Sequence, residues 1–582
     1  MQDQSQVITV DFDVPAPMRD GTVLRANIYR PASEGRWPVL LTRLPYGKDL
    51  PLGSAILDPV QAARRGYVVI VQDTRGCGVS DGGFYPFRTE ADDGVDTVAW
   101  AAVLPYSDGQ VGMYGASYFG FTQWAAAVRQ PPALKAMAPF ITWTDALDGQ
   151  ATRGGAYEFG LSASWTLGMG LGQLFRRYGQ DPAALGVAVA AWAAELDALG
   201  TTGYASLPLA EFAPLRRPEV APIFFDGLAA PLDRAQEPFA TTTILGKHDL
   251  VDVPTLNIGG WYDIFLAGTI ANYQAMQAQG KPSKLLIGPW THGSQGNPIG
   301  ERSFGFGAQA GLIDLRIDLR GLQLRWFDHW LKGLDTGMLA EAPITLFVMG
   351  ANVWRAEQEW PLARAVETPW YLHTDGLLSP ERPEDEPSDR YDDDPADPTP
   401  TRGGALLMTP EYPAGPYDQR SVEARPDVLT YTSDPVERDT EVTGPITVRL
   451  WAVSSAPDTD VVARLTDVFP DGRSFNVTDG IIRARYRRLT EGEPPSLIEP
   501  GQAYEYIIDL WATSNVFLAG HRIGLQVTSS CFPRWDRNPN TGYPIGADAE
   551  PRVAHQEILH DRQHPSHVVL PLVASADVVE AG

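Results

Sequence analysis

Two hydrophobic periodicities share this chain, and they change places along it. Near the start, Ile8, Val10, Phe12 and Val14 alternate with polar residues, Arg19-Asp20-Gly21-Thr22 supplies turn chemistry, and residues 23–29 resume the pattern. A period of two broken by a Gly turn predicts an antiparallel hairpin. Continuous apolar runs follow at Pro38-Val39-Leu40-Leu41-Thr42-Arg43, at Tyr67-Val68-Val69-Ile70-Val71-Gln72 and at Val111-Gly112-Met113-Tyr114. Runs without alternation predict strands covered on both faces, as in a parallel sheet. Between the last two, apolar residues at 95, 98, 99 and 102 have helical spacing, and 120–129 is helical again. Strand, helix, strand, helix predicts a doubly wound α/β sheet with right-handed crossovers.

The regime shifts near residue 145. Residues 146–240 are rich in Gly and Ala and read as helices, most clearly at 181–199. Strand-like runs return at 253–258 and 284–287, then a helix at 315–332 and a strand at 344–349. The helical block is therefore predicted as an insertion over the carboxyl edge of the sheet, where such sheets bind ligands. Residues 379–400 are dense in Pro, Asp and Glu and predict a solvated loop. Beyond them, short strands at 446–452, 461–468, 504–510 and 523–528 predict an all-β sandwich. The expected organisation is an α/β core from 1–145 and 241–354, a helical cap from 146–240 and a β-domain from 355–582.

Composition narrows the functional classes. With 44% hydrophobic and 20% charged residues, the 582-residue chain has the profile of a packed globular protein. Its net charge of −26 disfavours nucleic acid and anionic membrane as partners. The apolar stretches 160–175 and 183–199 are interrupted by polar or charged residues, and both fall short of the ~20 clean residues of a membrane span. Residues 1–6 show neither a basic nor an apolar leader segment, and the two cysteines, Cys77 and Cys531, form no disulfide framework, so a cytoplasmic protein is expected. Phosphate-cradling, flavin and metal-ligand motifs are not apparent; no cofactor and no metal are expected. A homodimer is left open.

The chemistry gathers at strand ends. Val111-Gly112-Met113-Tyr114 runs into Gly115-Ala116-Ser117-Tyr118-Phe119-Gly120 and then a helix. A nucleophile elbow has this form, lifting a Ser hydroxyl out of the sheet with the next backbone N–H beside it. The match to G-x-S-x-G is imperfect, because Phe stands at 119 and Gly at 120, and a serine in a Gly-rich turn fits these residues as well. Chain order decides. In such folds an acid and then a histidine follow the serine. Strand 253–258 leads to Gly260-Trp261-Tyr262-Asp263, and strand 284–287 to Gly288-Pro289-Trp290-Thr291-His292. Ser117, Asp263 and His292 thus leave the same edge of one predicted sheet. An oxyanion hole needs two donors: the Tyr118 N–H is built into the elbow, and Tyr46, in the loop after strand 38–43, could offer its phenol. His560, His564 and His567 lack the helical spacing of a zinc site, and Cys77 has no histidine placed to activate it.

Arg43-Leu44-Pro45-Tyr46-Gly47-Lys48, Gln72-Asp73-Thr74-Arg75-Gly76-Cys77-Gly78-Val79-Ser80, the elbow, Gly260-Trp261-Tyr262-Asp263 and Gly288-Pro289-Trp290-Thr291-His292 together resemble the cocaine esterase-like hydrolases. That family also holds α-amino-acid ester hydrolases, cephalosporin acylases and, more distantly, X-Pro dipeptidyl peptidases. Asp467-Val468-Phe469-Pro470-Asp471-Gly472 and Ala512-Thr513-Ser514-Asn515-Val516-Phe517-Leu518 extend the resemblance over nearly the whole chain. It implies an α/β-hydrolase core with an inserted helical cap and a C-terminal jelly roll. It implies Ser117 as nucleophile with Asp263 and His292, and an oxyanion hole of Tyr46 O–H and Tyr118 N–H. It also implies a pocket lined by Trp165, Phe265, Leu407 and Met408, with Trp143 nearby.

The expected reaction is hydrolysis of a small carboxylic ester, with a bulky or aromatic acyl group, through an acyl-enzyme. An amide or β-lactam side-chain acylase, an α-amino-acid ester hydrolase and an X-Pro dipeptidyl peptidase are the alternatives within the class. Outside it stands a carbohydrate-binding protein using Trp354, Trp360, Trp370, Trp451, Trp511 and Trp535. A peptidase reading needs a buried carboxylate for a substrate ammonium; Asp145, Asp148 and Glu158 are the cap's offers, expected as surface or helix-end charges.

Overall fold

The computed structural model describes residues 7–212, 215, 224–230 and 232–574. Residues 1–6, on which the leader expectation rests, and parts of the cap between 213 and 231 lie outside this set.

A ten-stranded sheet forms the core. The hairpin Ile8–Pro17 and Val23–Pro31 makes one edge, antiparallel to its neighbour Val68–Asp73. From there six strands run parallel: Val68–Asp73, Trp37–Leu44, Ser107–Ala116, Leu134–Phe140, Thr255–Tyr262 and Ser283–Thr291, followed by Ile344–Val348 in the same sense. Val353–Glu357 closes the other edge antiparallel. The unbroken apolar runs are explained by the two faces. Val39, Leu41, Val68, Ile70 and Met113 pack under Phe121 and Trp124 of the helix Tyr118–Ala127. Leu40, Val69 and Tyr114 pack under Trp326 and Phe327 of the helix Leu319–Lys332 on the opposite side.

Four expectations need correction. The strand Leu134–Phe140 went unread, because Lys135 and Pro139 interrupt its apolar pattern; it lies between the elbow strand and Thr255–Tyr262. The division at 355 falls inside Val353–Glu357, a strand of the core sheet rather than of the β-domain. The 379–400 segment is not wholly a loop. Asp389–Asp393 pairs with Ala554–Leu559, burying Tyr391 and Asp393 while Arg390 and Asp392 face solvent, a period of two hidden by its charges. The helix expected at 315–332 starts at Leu319, where the Asp318 carboxylate caps the Gly321 N–H at 2.7 Å.

The C-terminal part is a sandwich of a seven-stranded and a four-stranded sheet, with Val448, Leu450, Ala463, Leu465 and Leu525 meeting in its interior. Core and sandwich share a backbone bridge, Met349 N–H to Ser514 O (2.9 Å) and Val516 N–H to Met349 O (2.8 Å). The two long helices of the cap are Phe159–Tyr178 and Pro182–Leu199, and the second is long and apolar enough to cross a membrane by length and composition. The base of the cap is fastened to the sandwich. The buried Arg153 guanidinium donates to the carbonyls of Asp479 (2.6 Å) and Asp509 (3.0 Å) and stacks on Trp511 at 3.7 Å. The Tyr157 N–H bonds Asp536 at 2.7 Å, and Trp535 donates to Glu158 at 2.8 Å.

Asp393 carries a pH signature. Burial raises its carboxyl to about 7, the Asn540 amide only partly offsetting the cost. An acid raised in the folded state penalises folding as pH climbs from the ordinary carboxylate pKa of ~4, and the penalty is complete above about 7. Asp393→Asn should therefore raise the melting temperature by a few degrees at pH 8 and leave it unchanged near pH 4; calorimetry across that window checks it.

Candidate active site

The elbow is built by close approach. Ser117 has φ 55° and ψ −122°, outside the regions open to ordinary residues. Its N–H is held by the carbonyls of Phe140 (3.0 Å) and Ile141 (3.2 Å), and its own carbonyl accepts the Gly120 and Phe121 N–H groups and the Thr142 hydroxyl, each at 2.9 Å. Two glycines make the turn sterically feasible. A Cβ on Gly115 (φ +143°) would sit 2.3 Å from the Phe119 ring, and one on Gly120 would sit 2.7 Å from Thr142 Cβ. The displaced second glycine of the motif thus serves the contact with the 134–140 strand end, and Phe119 is free to pack in the core.

Ser117, His292 and Asp263 come together at the carboxyl ends of three parallel strands. Ser117 Oγ lies 2.9 Å from His292 Nε2, and His292 Nδ1 lies 2.6 Å from Asp263 Oδ2. A carboxylate only accepts, so Nδ1 carries the hydrogen and Nε2 is left to take the Ser117 proton. Asp263 is fully buried, and its second oxygen accepts the Phe265 N–H at 2.8 Å. Phe265 meets the imidazole edge-on at 5.2 Å, fixing the ring plane.

Tyr118 and Tyr46 are the candidate oxyanion donors. The Tyr118 N–H is at the first helical position and has no intrahelical acceptor. The Tyr118 side chain is anchored, its hydroxyl donating to Glu90 (2.7 Å) and accepting the Phe87 N–H (3.0 Å). Tyr46 overhangs the elbow, edge-on to Phe119 at 6.2 Å. Its hydroxyl accepts the Trp165 indole N–H at 3.1 Å. Burial pushes this phenol up to about 12, so it stays protonated and able to donate. The loop that bears it is pinned by Asp73, which accepts the Lys48 N–H at 2.6 Å and the Val79 N–H at 3.2 Å.

A pocket partly open to solvent leads to Ser117. Trp143, Trp165, Phe265 and Leu407 line it as expected from the resemblance, and Tyr46 and Tyr118 reach it too. Met408 is outside this lining. It sits against Gly160 in the cluster of Phe159 and Phe212, while Leu407 takes the inward side. Phe87, Gln150, Tyr157, Leu161 and Phe239 also line the cavity and were not foreseen. Phe87 had no periodic signal: it stands in a loop at φ 68° and stacks on Tyr118 at 4.6 Å and Trp165 at 6.0 Å. Of the cap carboxylates, Asp145 and Glu158 stand at helix ends as expected, but neither is on the surface. Asp145 is buried against Arg234 (2.5 Å), Glu158 against Trp535, and Asp148, raised to about 6 by burial, accepts the Trp511 N–H at 3.1 Å. Cys77 is buried in its turn, its thiol pushed up to about 12.

Sheet order, elbow and inserted cap define an α/β-hydrolase joined to a β-sandwich. Residues 20–294 match the family described as X-Pro dipeptidyl-peptidase (S15 family), and 336–569 match the X-Pro dipeptidyl-peptidase C-terminal non-catalytic domain. Cocaine esterase of Rhodococcus sp. (strain MB1 Bresler) is 37% identical over 580 residues, covering 97% of this chain and 99% of that one. Among solved structures, an aminopeptidase from a marine sediment Thaumarchaeota archaeon superposes with a TM-score of 0.79 at 25% identity, covering 99% and 98% of the two chains. An α-amino acid ester hydrolase superposes at 0.71 and 24%, covering 98% of each. The chain belongs to the cocaine esterase-like serine hydrolases of the S15 family, and it is a serine ester hydrolase.

The buried Asp263–His292 contact generates one expectation. Asp263→Asn keeps the shape of the side chain but can donate a hydrogen towards Nδ1, favouring the wrong tautomer, and kcat should fall by about 10³–10⁴-fold with the fold intact. Circular dichroism beside steady-state kinetics on an aryl ester checks both halves.

Proposed function

We propose that this enzyme hydrolyses esters of uncharged, aromatic carboxylic acids through a Ser117 acyl-enzyme. The observation that carries the reading is the hydrogen-bonded chain Asp263–His292–Ser117 opening on an aromatic cavity whose described lining has no Asp, Glu, Lys or Arg.

His292 takes the Ser117 proton as Oγ attacks the ester carbonyl, and the buried Asp263 carboxylate stabilises the imidazolium that forms. Negative charge develops on the carbonyl oxygen between the Tyr46 hydroxyl and the Tyr118 N–H; one such donor contributes about 3 kcal/mol. The imidazolium returns its proton to the departing alcohol. Water then attacks the acyl-enzyme by the same sequence, with His292 again as base, and the acid is released.

Acyl preference follows from desolvation. An aromatic ring entering among Phe87, Trp143, Trp165 and Phe265 leaves water for apolar surface, a gain of about 1.5–3 kcal/mol for a side chain of that size. A protonated α-amino group would lose its hydration beside the same rings at a cost of several kcal/mol. Asp145, Asp148 and Glu158 already serve Arg234, Trp511 and Trp535. An exopeptidase or α-amino-acid ester reading therefore has no described counter-charge in the cavity. The sugar-binding alternative also lacks support: Trp360, Trp511 and Trp535 are buried, and the Trp354 indole is spent on the Gly307 carbonyl.

Benzoyl esters should exceed matched phenylglycyl esters in kcat/KM by at least about 10²-fold, which is roughly 2.7 kcal/mol of discrimination. Equal rates would overturn the acyl assignment. Ser117→Ala should abolish turnover and prevent stoichiometric labelling by a fluorophosphonate; wild-type turnover in that variant would overturn the nucleophile.

A further inference from the structure

The cap contributes a polar atom to the catalytic side of the cavity. Trp165 lies on the helix Phe159–Tyr178, and its Nε1 is 3.1 Å from the Tyr46 hydroxyl on the core. An indole N–H can only donate, so the phenol oxygen is the acceptor here. That fixes one lone pair of Tyr46 on the cap side. The phenol hydrogen must then point away from Trp165, and Tyr46 and Ser117 line the same cavity. The indole cannot swing freely, being stacked within 6.0 Å of the Phe87 ring and 6.3 Å of Tyr118. Hydrogen bonds in series also polarise one another, and a phenol that accepts from an N–H becomes the stronger donor.

From this geometry we infer that Trp165 is the positioning residue of the oxyanion hole: its N–H aims the Tyr46 O–H at the ester oxygen, so the cap completes the transition-state site rather than merely walling the cavity. The inference rests on the proposed roles of Ser117 and Tyr46 and extends them. It also gives the cap a chemical duty. A displacement of the helix Phe159–Tyr178 that breaks this bond frees the phenol to rotate, and the donor pair is then no longer preorganised.

The competing account is that Trp165 only packs against the acyl group and parks its N–H on a convenient oxygen. The two separate in a double-mutant cycle on phenyl acetate, whose small acyl group needs little of the aromatic wall. Trp165→Phe should lower kcat about 10-fold or more with KM changed less than about 3-fold. In the Tyr46→Phe background, the same substitution should change kcat less than about 2-fold, because the group it orients is gone. Independent, multiplying losses, or an unchanged kcat in Trp165→Phe alone, would overturn the inference. An unchanged kcat in Tyr46→Phe would overturn both the inference and the oxyanion role of Tyr46, while Ser117 labelling by a fluorophosphonate would still report separately on the nucleophile. Should Trp165→Phe fail to fold, benzothienylalanine incorporated at 165 replaces the N–H by sulfur in a ring of the same shape. The same loss of kcat is expected from it, and full activity would refute the positioning role.

Discussion

Everything at the proposed site depends on holding one residue in a backbone conformation it would not choose. Ser117 at φ 55° and ψ −122° costs on the order of 1–3 kcal/mol relative to relaxed geometry. The hydrogen bonds around its N–H and carbonyl offset that cost, and they come from the strand end at Phe140, from Ile141 and Thr142, and from the first turn of the following helix. The strain is useful because it sets two groups at once. The hydroxyl rises towards His292, and the next N–H, that of Tyr118, is left without a partner inside the helix. A relaxed serine would surrender one of these to satisfy the other.

The same constraint governs a glycine turn elsewhere in the core. The segment from Asp73 to Ser80 holds no reacting group. It curls so tightly that a Cβ on Gly78 would fall 2.0 Å from the Asp73 carboxylate, and that carboxylate is what grips the loop bearing Tyr46. Burial raises Asp73, so its two backbone N–H bonds, from Lys48 and Val79, are made in a place where they are strong. Position in the site is thus inherited: Asp73 fixes the loop, the loop fixes the phenol, and Phe119 and Trp165 fix its angle.

What could be read from the chain alone follows from where periodicity survives. The strands at 38–43 and 67–72 kept long apolar runs because both faces are covered, the one at 253–258 kept Leu256 and Ile258 between polar residues, and the residues just past the sheet strands were thereby placed on one edge. Leu134–Phe140 was invisible because Pro139 and Lys135 break the run, yet its end supplies the acceptors for Ser117. Asp389–Asp393 was hidden in the opposite way, its inward Tyr391 and Asp393 masked by a charged composition that reads as solvent-exposed. Phe87 and the Trp165–Tyr46 bond lay beyond any local pattern, since each joins segments far apart in sequence. Met408 shows the limit of reasoning by neighbourhood: one position from Leu407 is enough to turn a side chain out of the cavity.

The anchoring of Arg153 bears on how the parts of this protein could be separated. Its guanidinium has left water altogether and is met by carbonyls and an indole that belong to the sandwich, together with Asp479 at 3.7 Å. Cutting away the C-terminal sheets would return that cation to water and strip the base of the cap of the two carbonyls, the indole and the carboxylate that hold it. The sandwich is consequently no detachable appendage: a shortened enzyme would need new contacts at 153 to replace those that now moor its helical roof.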